Sequence, residues 1–337
     1  MHSFSSAYPL PNRGNGLVRR GSALGALLVT AALMICWPGL MGGLVPTDTN
    51  RMAEGLRPAR LRTLTVWQVN GEVEDGGLIR RLCAAFEKQS PGVRIFLRTA
   101  WPGEWDQVEA VLPDVLLFGI GDIQEPERTL LALSPGEGQR FACAQSGGSA
   151  YALPLWLSPE VLALPEEWQM EEPDWERLLS PDGLMLPEGV ALQQLLLSCA
   201  PALRPALRAV ADQSDRTPKA RVMTLARFHQ TEGMSALPLR PAVCARVRFA
   251  GLCRDGELAR DFLSFLWEQR GQAAQNHLLP VAMAAEGDGL MASLSELYGE
   301  NPTLLNAFSH SREEIRALCL DGFLRGADPA ETLLRMR

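Results

Sequence analysis

The order strand, helix, strand, strand within residues 63–119 constrains this chain more than any other feature of it. TLTVWQV at 63–69 is rich in β-branched and aromatic residues and reads as a strand. Asp75, Gly76 and Gly77 then lead into a helix. Leu78, Leu82, Ala85 and Phe86 recur at helical spacing, while Arg80, Arg81, Glu87 and Lys88 take the wet face. Ser90-Pro91-Gly92 ends that helix, and VRIFL at 93–97 is a second strand. A short helix is predicted over 104–111, after which Pro113-Asp114 opens a third strand, VLLFG at 115–119. Continuous apolar strands joined by amphipathic crossovers predict an α/β fold with a mostly parallel sheet covered on both faces. Ligands of such sheets sit outside the carboxyl ends of the strands. Those ends are Trp67 to Asn70, Arg98 to Trp101 and Gly119 to Asp122, expected to meet on one rim.

This pattern begins only after a membrane-type segment. Residues 1–20 are polar and expected to be disordered; residues 47–60 read as a linker. Between them, residues 21–46 carry no charge and follow Arg19 and Arg20. About 20 apolar residues suffice to cross a bilayer, and the two arginines favour an inside N-terminus. The segment is longer than a minimal signal-peptide core and lacks a clean small-x-small cleavage site, so a signal peptide and a membrane anchor both stay open. Cys36 follows Ile35, which is not the small residue that lipidation requires, and reads as a small hydrophobe. Either way the rest of the chain is expected outside the cytoplasm, secreted or anchored.

A net charge of −7 argues against a nucleic-acid surface, which is normally basic. Four histidines leave little material for a histidine-rich metal site. The six cysteines after the segment show no CxxC spacing and are expected to be buried and reduced, although Cys244 and Cys253 are near enough in sequence to bridge across a loop or hairpin. There is no GxSxG, no phosphate-cradling glycine loop and no HExxH. No catalytic residue, metal or cofactor is therefore assigned.

Further along, YALPLWL at 151–157 reads as an extended crossing segment, with Pro154 disfavouring a central strand. Helices are predicted at DWERLL and ALQQLLL within 172–197, at 203–212, 218–230, 257–269, 289–298 and 311–325. SALPLRP at 235–241 is extended, and Asp328-Pro329 caps a last helix. Tryptophans mark a candidate site. Trp67 closes the first strand, Trp101 and Trp105 follow the second, and Trp156 sits in the crossing segment. A flat ring can lie on the apolar face of a sugar while polar groups take its hydroxyls, although tryptophan also fills cores. Asn70 is a plausible polar partner beside Trp67. Asp122 either caps the next loop or contacts a ligand. The candidate ligand-binding set is Trp67, Asn70, Trp101, Asp122 and Trp156.

Taken in order, these segments carry a resemblance. LTVWQV, LIRRLCAAFEKQSPGVRI and PDVLLF resemble the opening of the extracellular solute-binding proteins of ABC sugar-uptake systems. YALPLWLSPEVLALPEEW with EEPDWERLLS, then ELARDFLSFLWEQRGQAAQNHLLPVA, then REEIRALCLDGFLRGADPAETLLRM continue it to the end of the chain. The resemblance implies a two-lobe, periplasmic-binding-protein-like fold with a hinge and an interlobe cleft. Residues 61–125 and 235–280 would form the first α/β lobe; 126–234 and 281–337 would form a second, mostly helical one. It implies capture of a carbohydrate or similar small polar solute, delivery to an ABC permease, a monomer, and no catalysis. The chain departs from the pattern in a short 99–112 passage, in Tyr151-Ala152-Leu153-Pro154 without a glycine, and in a compact 184–236 region where Glu232-Gly233-Met234 brings no tryptophan. A membrane-anchored sensor or accessory protein with a degenerate cleft is the alternative on the same fold. An extracytoplasmic enzyme would need paired acids or a nucleophile and base in the cleft.

Overall fold

The computed structural model describes residues 61–69, 73–101, 112–134, 141–180, 182–211, 218–285, 287, 289–300 and 303–337. The 21–46 segment, its flanks 1–20 and 47–60, Asn70, Trp105 and the expected 104–111 helix lie outside them. No described helix is long and apolar enough to cross a membrane.

Strand β1 (Arg62–Val69), helix α1 (Gly76–Gln89), β2 (Val93–Ala100) and β3 (Val115–Phe118) follow the order expected from the sequence. They are followed by α2 (Pro126–Thr129), a hairpin of β4 (Gln145–Ser146) and β5 (Ser149–Ala150), then β6 (Leu153–Leu157) and β7 (Glu160–Pro165). The middle of the chain holds α3 (Trp175–Leu178), β8 (Leu184–Met185), α4 (Val190–Ser198), α5 (Arg204–Ala211), β9 (Ala220–Thr224), α6 (Leu225–Phe228) and β10 (Met234–Pro238). After β11 (Val243–Cys244) and β12 (Val247–Leu252) come α7 (Glu257–Glu268), β13 (Leu279–Pro280), α8 (Gly289–Glu300), β14 (Thr303–Leu304), α9 (Arg312–Arg325) and α10 (Pro329–Leu334).

The first lobe is built on a six-stranded sheet in the order β13-β6-β12-β3-β1-β2. Its strands alternate between two packed faces, as a period of two requires. Val115 and Leu117 of β3 and Ala250 and Leu252 of β12 face the cluster under α1 and α7, where Phe86 meets Phe262 and Phe265 edge-on at 5.1 and 5.2 Å. Leu116, Phe118, Val247 and Phe249 face the opposite cluster, in which Phe118 and Phe249 stack at 5.6 Å. The sheet is mixed, which corrects the mostly parallel expectation. β1 pairs in parallel with β2 and β3, but β12 runs antiparallel to β3 and β6, and β13 antiparallel to β6. Late strands entering from the other lobe cause the difference, and no local pattern fixes their direction.

The second lobe carries its own four-stranded sheet, β10-β7-β9-β8, beside its helices. Residues 220–224, read from sequence as part of a helix, are β9 at the centre of this sheet, where β7 and β8 supply the pairing. Residues 235–238, expected in the first lobe, pair with β7 here, while 153–157 join the first sheet. The passages between lobes therefore include Ser158–Pro159, residues 239–246, and residues 305–311, where Ala307 N donates to Cys143 O before α9 begins. Pro154 sits inside a sheet after all. The β12 register shifts between Arg248 and Phe249, opposite it, and that irregularity accommodates a residue without an N–H.

Six cysteines, Cys83, Cys143, Cys199, Cys244, Cys253 and Cys319, are free and buried. The Cys244–Cys253 bridge is excluded because β12 lies between them and spans about 20 Å. Burial pushes the thiols of Cys83, Cys143, Cys244, Cys253 and Cys319 up to about 12, so none is a ready nucleophile.

Candidate functional site

A cavity of about 280 Å³ opens between the two sheets at the carboxyl ends of their parallel strands. The first lobe contributes Val73 and Glu74 after β1, Gly119 and Ile120 after β3, and Val247 at the start of β12. The second contributes Glu160 at the start of β7, Thr224 at the end of β9, and Pro187 to Ala191 where the chain enters α4. Arg312 and Arg316, one turn apart on α9, line the cavity too, as do Arg227 and Arg246. Four guanidinium groups and three carboxylates, Glu74, Glu160 and Glu188, are among the described lining residues, with no aromatic ring.

Arg246 and Arg312 are each held by a carboxylate. Arg246 Nε lies 2.9 Å from Glu160 Oε1. Arg312 Nη2 lies 2.6 Å from Asp122 Oδ1, and the other oxygen of Asp122 accepts from Gly119 N at 2.7 Å. The turn that presents Asp122 depends on Gly121. Its φ is +76°, and a Cβ there would stand 2.7 Å from Arg312 N and 2.9 Å from His310 O. Burial raises the Asp122 pKa above the ordinary carboxylate value, and the Arg312 charge only partly opposes this.

Beside the cavity is a third ion pair, fully enclosed. Asp75 sits at the N-cap position of α1 but caps nothing with its side chain. It accepts from Arg248 Nε at 2.7 Å and Nη2 at 2.9 Å, from Trp156 Nε1 at 2.8 Å and from Gln68 Nε2 at 2.9 Å. Arg248 also donates to the carbonyls of Val69 and Val73. These bonds tie β1, β6 and β12 to the loop that carries Val73 and Glu74 into the cavity wall.

The residues chosen from sequence are therefore only partly brought together. Asp122 lies directly behind Arg312. Trp156 is fully buried and adds no surface to the cavity; the register irregularity beside it and its bond to Asp75 explain its inward position. Trp67 is half-buried under the Arg98 guanidinium, 4.7 Å from the ring centroid. Trp101 is 65% exposed. Neither ring lines the cavity, and Asn70 lies outside the described residues. Sequence reading missed Arg312, Arg246, Glu160 and Glu188. Glu160 and Glu188 do occupy legible places, three positions after the crossing segment ends and three before ALQQLLL begins. A larger, mostly apolar hollow of about 1100 Å³ lies between the 279–285 run and α8, away from these charges. Among the described residues no group of three His, Cys, Asp or Glu side chains is placed to hold a metal ion.

Two α/β lobes, crossing strands and a cavity at the facing sheet ends define a periplasmic-binding-protein-like fold. Solved structures share it. The cyclic α-maltosyl-1,6-maltose binding protein of Arthrobacter globiformis matches with a TM-score of 0.58 at 12% identity, over 81% of this chain and 96% of that one. The maltose/maltodextrin-binding domain of Bdellovibrio bacteriovorus bound to maltotriose matches with a TM-score of 0.55 at 11% identity, over 81% and 97%. Thiaminase I of Bacillus thiaminolyticus matches with a TM-score of 0.53 at 13% identity, over 80% and 99%, so the fold also serves an enzyme. No family model matches the chain. No curated protein matches it significantly either.

Proposed function

We propose that this chain is the extracytoplasmic solute-binding component of an ABC import system, capturing a carbohydrate or similar small polar solute between its lobes and presenting it to a membrane permease. The observation that carries this reading is the cavity walled by both lobes at the carboxyl ends of their sheets. Hinge motion at Ser158–Pro159, 239–246 and 305–311 would open and close it. The 21–46 segment would export or anchor the chain. Asp122 serves the site through Arg312. Trp67 and Trp101 belong to the first lobe's rim, where a solute would enter. Trp156 holds Asp75. Likeness to solute-binding structures supports the reading.

The test is a thermal-shift screen of the full chain against mono- and oligosaccharides, polyols, amino acids and short peptides. A ligand that binds only the folded state raises its melting temperature in a saturable way. Loss of that shift in Arg312→Ala or Glu160→Gln places it in the cleft. The absence of a ring from the described cavity wall favours one second reading, a membrane-anchored sensor or accessory protein with a degenerate cleft. A folded chain that responds to no solute class would select it.

A further inference from the structure

Resting on the reading that the interlobe cavity captures a solute, we infer that this solute is compact and carries an anionic group, a carboxylate or a phosphate, seated against Arg312, Arg316 and the first turn of α4. Three independent features of the wall lead there.

The first is what the wall lacks. A neutral sugar is commonly gripped by a ring on its apolar face, and none of the described lining residues is aromatic. Of the candidate rings, Trp67 lies under Arg98, Trp156 is in the core, and the exposed Trp101 is not among the described lining residues. At about 280 Å³ the cavity is also at the small end of the range for ligand pockets.

The second is Arg312. Its side chain is 19% exposed, and its guanidinium is fixed by Asp122, itself held by Gly119 N. A planar group with five donors and one anchored edge keeps other donors for a planar acceptor, which is how arginine recognises carboxylate and phosphate. Arg316 lines the same cavity, one turn further along α9.

The third is the start of α4. Gly189, at the N-cap, has a φ of +62° and supplies no side-chain cap, and Gly189 to Ala191 lie on the cavity wall beside Arg316. The nine-residue helix thus presents its positive end to the same pole as the two arginines. Glu160 is engaged by Arg246, and Glu74 and Glu188 remain on the wall as acceptors for hydroxyl or ammonium donors on the rest of the solute.

The experiment is isothermal titration of the full chain with a matched series, glucose, gluconate and glucose 6-phosphate, together with succinate and inorganic phosphate. The expected result is binding of an acidic member with glucose far weaker, and affinity that falls with added salt. Arg312→Ala should weaken it about tenfold or more, with Arg312→Lys recovering part. Whether gluconate and succinate or the two phosphates bind separates the sources of the charge. Arg316→Ala, expected to weaken binding in the same direction, keeps the test open should Arg312→Ala fold poorly. If glucose binds as tightly as its acidic counterparts, or both arginine variants bind like wild type, the anionic inference is overturned while solute capture stands. If the folded chain binds none of the five, the anionic inference falls, and solute capture falls with it only when the wider thermal-shift screen is silent as well.

Discussion

Two Arg–Asp pairs lie close together on the rim of the first sheet, and they do opposite jobs. Arg248–Asp75 is sealed, at 1% and 0% exposure, and Asp75 is saturated by four donors from three side chains. Arg312–Asp122 is sealed on one side only, with Asp122 buried and the guanidinium opening onto the cavity. In the first pair every polar atom of consequence is spent on the protein, so the pair fixes a loop and two strands. In the second, part of the cation's capacity is left facing the place where a solute would sit. A buried charge network rigidifies when it is complete; a half-open one offers a binding surface.

The largest effect expected from breaking this contrast is at the sealed pair. Arg248→Ala strands the Asp75 carboxylate in the core and should cost about 3–5 kcal/mol or abolish folding, read by urea denaturation. The double variant Asp75→Asn, Arg248→Met should be more stable than Arg248→Ala, because no charge is left unpaired; a double variant that is worse still would refute the pair's role.

Next is Gly121→Ala. A Cβ at φ +76° and 2.7 Å from Arg312 N cannot be relieved by a side-chain rotation. It should cost about 1–3 kcal/mol and weaken solute binding as well, since Arg312 must shift. Retained affinity would separate the turn from the site.

Trp156→Phe keeps most of the buried ring volume but removes one donor from Asp75. A loss of about 1–3 kcal/mol in stability is expected, with solute affinity unchanged in the surviving folded protein. A selective loss of affinity would instead return Trp156 to the ligand.

The smallest effect is a pH dependence. The folded pKa of Asp122 is raised above its unfolded value, so the folded state holds this proton more readily. Its ionisation therefore costs stability as pH rises through the folded pKa, and the cost vanishes below the unfolded value. Asp122→Asn should be relatively more stable above that window than below it. The measurement is the wild-type minus variant stability across mildly acidic pH. A difference that is flat, or that slopes the other way, would mean Arg312 outweighs burial.

Much of the first lobe was legible locally. β1, α1, β2 and β3 fall where strand-forming runs, helical spacing and Ser90-Pro91-Gly92 put them, and α9 and α10 begin at Ser311 and Asp328, whose side chains cap them as their positions suggest. Elements whose partners are distant were misread. Residues 220–224 have helical spacing but lie between β7 and β8, and Pro154 is tolerated because β12 shifts register opposite it. The site suffered most. Asp75 read as a residue leading into a helix, and nothing local announces Arg248, 173 positions away, as its partner.

The sequence by itself determined that the chain is α/β, that an uncharged apolar segment precedes the folded region, and that a rim at the strand ends including Asp122 is where to look. Periodicity, turn residues and charge are local quantities, and they settle local structure. Only the tertiary structure decided strand direction, the two-sheet division, the burial of Trp156 and which arginines face the cavity. Those depend on contacts between residues far apart in the chain, where burial and pairing outweigh local preference.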